Sequence, residues 1–183
     1  MLYVVPTPIG NLKDITYRAV ETLSSCDYIL CEDTRVSKKL LDHYKIEVPL
    51  QAYHAHNEHS RTPSVIEDLL GGKDIALISD AGYPGISDPG FLLMREIHHN
   101  RIPFTVLPGP SALITGLVGS GLPMEKFYYE GFLPHKKGRQ GRLREIAARD
   151  FTTVLFESPH RILKTIRSLI EYCGEDRKAC VAR

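Results

Sequence analysis

Short apolar, β-forming runs alternate with stretches of helical spacing along the first two thirds of the chain, and this alternation constrains the fold more than any other feature. Strands are expected at residues 2–5, 28–31, 48–53, 75–78 and 104–107. The first helix would be capped by Asp14 and would bury Ile15, Ala19, Val20 and Leu23. A second is expected over 35–44 with Leu40 and Leu41 inside, and a third over 62–70, with Pro63 in its first turn and Gly71 just past its end. Two more follow over 90–99 and 111–118. Strand–helix–strand connections require parallel strands covered by helices. The expected class is therefore α/β, with an N-terminal, mostly parallel five-stranded sheet and flanking helices.

The breaker-rich stretch 119–123 (GSGLP) ends that pattern. Beyond it strands are expected at 127–130, at 153–156 and from Lys178 onward, with helices over 138–148 and 161–172. The reading is two domains: residues 1–121, an N-terminal α/β domain, and residues 122–183, an incomplete C-terminal α/β domain. Three strands and two helices make a marginal core alone, so the chain looks cut short at Arg183. Charge divides in nearly the same place. Residues 1–125 carry a formal −5 and residues 126–183 a formal +6, within a chain of net +1. An acidic front and a basic back point to different partners, with nucleic acid the natural one for the basic part.

With 43% hydrophobic and 25% charged residues, intrinsic disorder is excluded. No apolar run reaches the roughly 18 residues a membrane span needs. Residues 1–5 (MLYVV) lack the basic region and long apolar stretch of a secretory leader. A cytoplasmic location without membrane contact is expected. Cys26, Cys31, Cys173 and Cys180 show no C-x-x-C spacing, so reduced structural thiols are expected.

If the sheet is parallel, the loops after its strands gather at one edge, where α/β sheets bind ligands. The densest is the twelve-residue run 79–90, SDAGYPGISDPG, which holds two carboxylates, Asp80 and Asp88. It has neither P-loop nor Rossmann spacing. The turns TPIGN (7–11) and PGPS (108–111) share that edge. None carries a phosphate-binding Lys or Arg, so a cationic or neutral cofactor suits them better. Glu32-Asp33-Thr34-Arg35 closes the second strand as either an acid–base pair or a helix cap with first-turn acids. The cluster HAHNEH (54–59) reads as loop histidines rather than metal ligands, since no second group completes a shell. HKKGRQGRLR (135–144) holds six cationic or titratable groups and no acid, which favours RNA or DNA contact over a solvated helix face. In ESPHR (157–161), Glu157 and Arg161 face either a substrate or a helix start.

Taken together, TPIGNLKDIT, CEDTR, YHAHNE, ISDAGYPGISDPG, LPGPSA, EGFLPHKKGR and FESPHR occur in an order that resembles the tetrapyrrole methylase superfamily, the class III S-adenosylmethionine (SAM) methyltransferases. Within it they look like the branch that methylates a cytidine ribose 2′-hydroxyl of 16S ribosomal RNA in the small ribosomal subunit. A tetrapyrrole or diphthine methylase on the same scaffold is the alternative. The resemblance implies SAM between two domains, a homodimer, and no metal. It implies cofactor contacts at Pro8, Gly10, Asp80, Ala81, Gly82, Ile86, Ser87, Ser111, Ala112, Phe132 and Leu133. Tyr83 stands where the family more often has Thr, and family members continue beyond the point where this chain ends. Candidates for handling the ribose proton are Glu32, Asp33, Arg35, Asn57 and Glu157, without individual roles. Lys136, Lys137, Arg139, Arg142 and Arg144 are expected on RNA phosphates.

Overall fold

A computed structural model describes all of residues 1–183 and divides them into two units, Met1–Ala112 and Leu113–Arg183. In the first unit, β1 (Leu2–Val4), β2 (Tyr28–Cys31), β3 (Leu50–Ala52), β4 (Ile75–Leu77) and β5 (Phe104–Val106) form one sheet in the order β3-β2-β4-β1-β5. Every pair is parallel, with Leu2 opposite both Ile75 and Phe104.

Alternation along each strand decides which helix packs where. Leu2 and Val4, Tyr28 and Leu30, and Ile75 and Leu77 point to one face. There they meet Val65, Ile66 and Leu69 of α3 (Glu58–Leu70) and Leu93 and Ile97 of α4 (Phe91–His99). Val5, Ile29, Cys31, Ala76 and Ile78 point to the other. Their partners are Ala19 and Leu23 of α1 (Tyr17–Ser25) and Leu40 and Leu41 of α2 (Thr34–Tyr44). Each of these buried aliphatic side chains contributes about 1.5–3 kcal/mol. The strands adjacent at the centre, β1 and β4, thus send their chains to helices on opposite faces. This is the arrangement that opens a crevice at the strands' carboxyl ends.

Two helix starts differ from expectation. Thr16, not Asp14, caps α1, because the Thr16 Oγ1 accepts from the Ala19 N–H at 3.1 Å while Asp14 ends a short 3-10 turn (Leu12–Asp14). α3 begins at Glu58, a turn before expectation, so Pro63 lies inside it. The first turn is held by local bonds: the Asn57 carbonyl accepts from the Ser60 and Arg61 N–H groups at 3.0 and 2.9 Å. The cost of Pro63 is one missing helical donor.

In the second unit α5 (Ala112–Gly119, its first residue closing the first unit) leads to β6 (Phe127–Phe132), α6 (Arg139–Ala148), β7 (Thr152–Phe156) and α7 (Ile162–Cys173). β6 and β7 pair in parallel across a bulge between Tyr129 and Gly131, where Gly131 takes φ +70°. Leu133, Leu143 and Ile146 form a small core with Leu155, Leu169 and Tyr172 around it. The compact units divide after Ala112 rather than after residue 121, because α5 goes with the C-terminal segment: a Cβ on Gly116 would lie 3.6 Å from that of Ala182. The strand expected from Lys178 does not form. Residues 178–183 are exposed and have no ladder partner, and a lone strand leaves its N–H and C=O groups unpaired. No helix is long and apolar enough to cross a membrane.

Candidate functional site

Because all five strands of the first sheet run the same way, the segments after β1, β2, β3, β4 and β5 leave from one edge. Three of them are stitched together. Thr7 and Gly82 exchange backbone hydrogen bonds at 3.0 and 2.9 Å. The buried Thr7 Oγ1 donates to the Ser79 carbonyl at 2.9 Å, and the Ser79 hydroxyl donates to the Gly82 carbonyl at 3.0 Å. The Tyr83 hydroxyl donates to the Leu107 carbonyl at 3.2 Å and accepts from the Gly109 N–H at 2.9 Å, which ties the 79–90 loop to the segment after β5. Gly109 is required there, since a Cβ would stand 2.5 Å from the Pro6 Cγ.

The acids concentrate at the same edge. The Asp33 N–H donates to the Asp80 Oδ1 at 3.2 Å, linking the segment after β2 to the loop after β4. Burial raises the Glu32 carboxyl above its usual range, and the charges of Asp80 and Asp33 add to this while His54 opposes it. Asp88 is pushed up to about 6, first by burial and then by Glu32 and Asp80, with the neighbouring Ser79 opposing the shift. One edge therefore carries two carboxylates, Glu32 and Asp88, held at elevated proton affinity. Arg35 is committed to Asp33: its Nε and Nη2 donate there at 3.0 and 2.6 Å. Those bonds, with the Arg35 N–H to Asp33 Oδ1 at 2.8 Å, hold Asp33 down at about 2. Asp33 and Arg35 thus form the cap of α2, the structural reading of that pair. Asn57, also a proton-handling candidate, uses both ends of its amide on the turn before α3. Its Oδ1 accepts from the His54 N–H at 2.8 Å and its Nδ2 donates to the Ala52 carbonyl at 3.0 Å.

Of the residues assigned to a cofactor, Pro8 is buried and Gly10, Asp80, Ala81, Ile86, Ser87 and Ala112 are exposed, with Ser111 between. A Cβ on Gly10 or Gly85 would meet nothing within 4 Å, so backbone there faces open space. Gly82 differs: its N–H and C=O are both committed to protein partners, and its φ of +81° excludes most side chains regardless of any ligand. In the second unit Phe132 is half exposed, whereas the Leu133 side chain is buried in the core and only its backbone can reach a ligand.

The basic run also divides. Arg139 is buried, its Nη2 donating to the Thr165 hydroxyl at 2.9 Å and its Nη1 to the Pro134 carbonyl at 3.3 Å, so it is no phosphate contact. Arg142 pairs with Glu130 at 3.4 Å and Glu145 at 3.2 Å. Lys136, Lys137 and Arg144 stand exposed and outside these pairs. Glu157, a proton-handling candidate, has a side chain only 2% exposed and three donors upon it. Sequence reasoning missed two participants. The bridging role of Tyr83 was visible only as a departure from family habit, and Thr165, in mid-helix, carries no sequence signal.

The free thiols follow the same logic of burial. Burial, with Asp74 and Asp27, pushes Cys26 up to about 12, and burial also raises Cys31. Cys180 is exposed on the strandless tail, contrary to its strand-like surroundings in sequence.

Comparison with known proteins fits this geometry. A ribosomal RNA small subunit methyltransferase I from Vibrio cholerae is 47% identical over 184 residues, covering 100% of this chain and 64% of that protein. One from Bacillus subtilis is 45% identical, with 100% and 63% covered. One from Thermotoga maritima is 44% identical, with 100% and 82% covered. The chain thus spans somewhat less than two thirds of the length of the first two. Among solved structures, a uroporphyrin-III-C-methyltransferase from Thermus thermophilus superposes with a TM-score of 0.62 at 18% identity, covering 93% of this chain and 73% of that one, which shows a shared fold. The family described as Tetrapyrrole (Corrin/Porphyrin) Methylases matches residues 1–183, and the chain belongs to it.

Proposed function

We propose that this chain is part of a SAM-dependent methyltransferase of the small ribosomal subunit that methylates a cytidine ribose 2′-hydroxyl of 16S ribosomal RNA. The observation that carries the reading is 44–49% identity along the whole chain to proteins named ribosomal RNA small subunit methyltransferase I; the cytidine ribose rests on the family resemblance. The site's chemistry supports it. SAM is a nucleoside carrying a sulfonium cation, and the residues present suit such a group: open backbone at Gly10 and Gly85 beside the carboxylates of Asp80, Glu32 and Asp88. When bound, SAM supplies an electrophilic methyl group. Pro8, Gly10, Asp80, Ala81, Ile86, Ser87, Ser111 and Ala112 of the first unit would hold it; Phe132 and Leu133 are the candidates the family resemblance adds.

The chain's own contribution is alignment and proton handling. Holding a nucleophile and its electrophile in register lowers a barrier by about 7–11 kcal/mol. The ribose hydroxyl must also lose its proton, and a carboxylate of raised proton affinity is a better acceptor than an ordinary one. Glu32 and Asp88 fill that role better than Asp33, Asn57 or Glu157, whose polar atoms are already engaged. The exposed Lys136, Lys137 and Arg144 would meet RNA phosphates. Action on ribosomal subunits implies a cytoplasmic location, and the exposed Phe127 and Phe132 fit a homodimer.

The second reading, a porphyrinoid methylase, draws on the fold shared with the Thermus enzyme. The exposed lysines argue against it. Incubation of the intact protein with radiolabelled SAM and either small ribosomal subunits or uroporphyrinogen separates the two. Label in 16S RNA, mapped to a cytidine ribose by nuclease digestion, is the expected result; label in the tetrapyrrole overturns it.

A further inference from the structure

The carboxylate that closes β7 has no room to act on a substrate, yet it sits at the centre of a dense polar network. The Glu157 Oε1 accepts from the Ser158 N–H at 2.8 Å and lies 3.3 Å from the Arg161 Nε. Its Oε2 accepts from the Thr165 hydroxyl at 2.5 Å. That hydroxyl in turn accepts from the Arg139 Nη2 at 2.9 Å. The outer arms of the two guanidinium groups both reach the turn between β6 and α6. Arg161 donates to the Leu133 carbonyl at 2.8 Å and to the His135 Nε2 at 3.1 Å, and Arg139 donates to the Pro134 carbonyl at 3.3 Å. A guanidinium has donors only, so the His135 Nε2 is the acceptor and the ring carries its hydrogen on Nδ1. One buried carboxylate thus orients two buried or half-buried cations, and those cations grip three successive residues of the turn.

We infer that Glu157 is a positioning residue: through Thr165, Arg139 and Arg161 it sets the backbone of the turn at residues 133–137. The turn joins two tasks in the proposed function, since it begins at the cofactor contacts Phe132 and Leu133 and ends at the RNA-facing Lys136 and Lys137. Gly138 at its end takes φ +84°, and neither it nor Gly141 meets anything within 4 Å of a built Cβ. Beside the buried Leu133 side chain and the Arg139 N–H bond to the Lys136 carbonyl at 3.2 Å, the guanidinium contacts to residues 133–135 are therefore the turn's main polar anchorage. The network also explains why Arg139 is arginine within a run otherwise turned to solvent. The guanidinium reaches the Pro134 carbonyl and the Thr165 hydroxyl from two separate nitrogens in a rigid fork, whereas a lysine would have to bring one nitrogen within reach of both.

The consequence for ligand binding rests on the proposed function, but the positioning itself is readable without any ligand. The experiment compares the wild type with Thr165→Val, which removes the hydroxyl at constant shape, and Thr165→Ser, which keeps it. Hydrogen exchange followed by mass spectrometry reports residues 133–137 separately from β7 and α6, and calorimetry reports SAM affinity. Exchange in 133–137 should quicken at least tenfold in Thr165→Val and return to within about twofold of wild type in Thr165→Ser, with β7 unchanged. SAM affinity should fall in the same order. If Thr165→Val does not fold, Arg161→Lys, at a side chain 21% exposed, carries the same expectation. Unchanged exchange in 133–137, or equal effects of Val and Ser, overturns the inference. Absence of SAM binding in the wild type overturns the proposed function instead, and the exchange result then decides the positioning role alone.

Discussion

Asp88 shows how one side chain can link the site to stability. Its carboxyl is pushed up to about 6 in the fold, against 3.8 when unperturbed, chiefly by burial and by the charges of Glu32 and Asp80. A raised carboxyl means that the folded state binds the proton more tightly than the unfolded one. Stability from this group is therefore greatest below about pH 4, declines as pH rises to about 6, and is flat above. Asp88→Asn should remove the decline. Since the group is only half buried, solvent screening cuts the full linkage value to about 1 kcal/mol. The variant should melt about 2–4 °C higher than wild type at pH 7.5, and no higher at pH 4. Thermal melts at the two pH values check this; an equal gain at both would assign the effect to packing. A second residue-scale test concerns Gly109. Gly109→Ala drives a methyl to 2.5 Å from Pro6, so it should cost about 1–3 kcal/mol in denaturant titration. By contrast Gly82→Val is a poor probe of cofactor binding, because its φ of +81° makes it a folding defect first.

At the scale of elements, α6 is the instructive case. Its first half is rich in arginine, yet helix geometry turns Arg139 inward and leaves Arg142, with Arg149 just past its end, against the buried Glu130 carboxylate, Arg149 at 2.8 Å. Arg149 also lies 3.8 Å above the Tyr128 ring. Those arginines hold the second unit together, which leaves the lysines ahead of the helix for the proposed RNA contact. Lys136→Ala with Lys137→Ala should therefore flatten the salt dependence of RNA binding by at most about 1.4 in log–log slope. SAM affinity should not change. Arg139→Ala should instead lower the melting stability by about 1–3 kcal/mol. A salt titration beside a denaturant melt distinguishes the two outcomes. Equal RNA slopes in wild type and double variant would remove the lysines from the interface.

For the whole molecule, the first unit carries a formal −4 and the second a formal +5, which supports the proposed division of cofactor and RNA between them. Cofactor affinity should then be nearly indifferent to salt while RNA affinity is steeply dependent on it, since only the polyanion releases counterions. Calorimetry with SAM at low and high salt checks the first half. Phe127 and Phe132 are 36% and 50% exposed, apolar area that a second copy would cover in the proposed homodimer. Sedimentation at micromolar concentration should show a dimer; a monomer alone would refute that assembly.

Much of this protein was determined by local pattern. Two-residue alternation in β1, β2 and β4 and helical spacing in α1 to α4 depend only on which side chains avoid water, and a parallel five-stranded sheet follows. The run 79–90, with its glycines, prolines and paired acids, marked the site because such composition serves a loop at a sheet edge better than any regular element. Other properties depended on long-range geometry. Whether Thr16 or Asp14 caps a helix, and whether Pro63 falls inside α3, turns on hydrogen bonds whose partners compete within a few residues. That Arg139 and Glu157 face inward could not be read from a basic run and a polar pentapeptide, because charge tells what a side chain prefers and only the packing of α6 and α7 tells which way it points. Tyr83, bridging segments that follow two different strands, and Thr165, joining two charged groups far apart in sequence, acquire their roles only when the chain returns to meet itself.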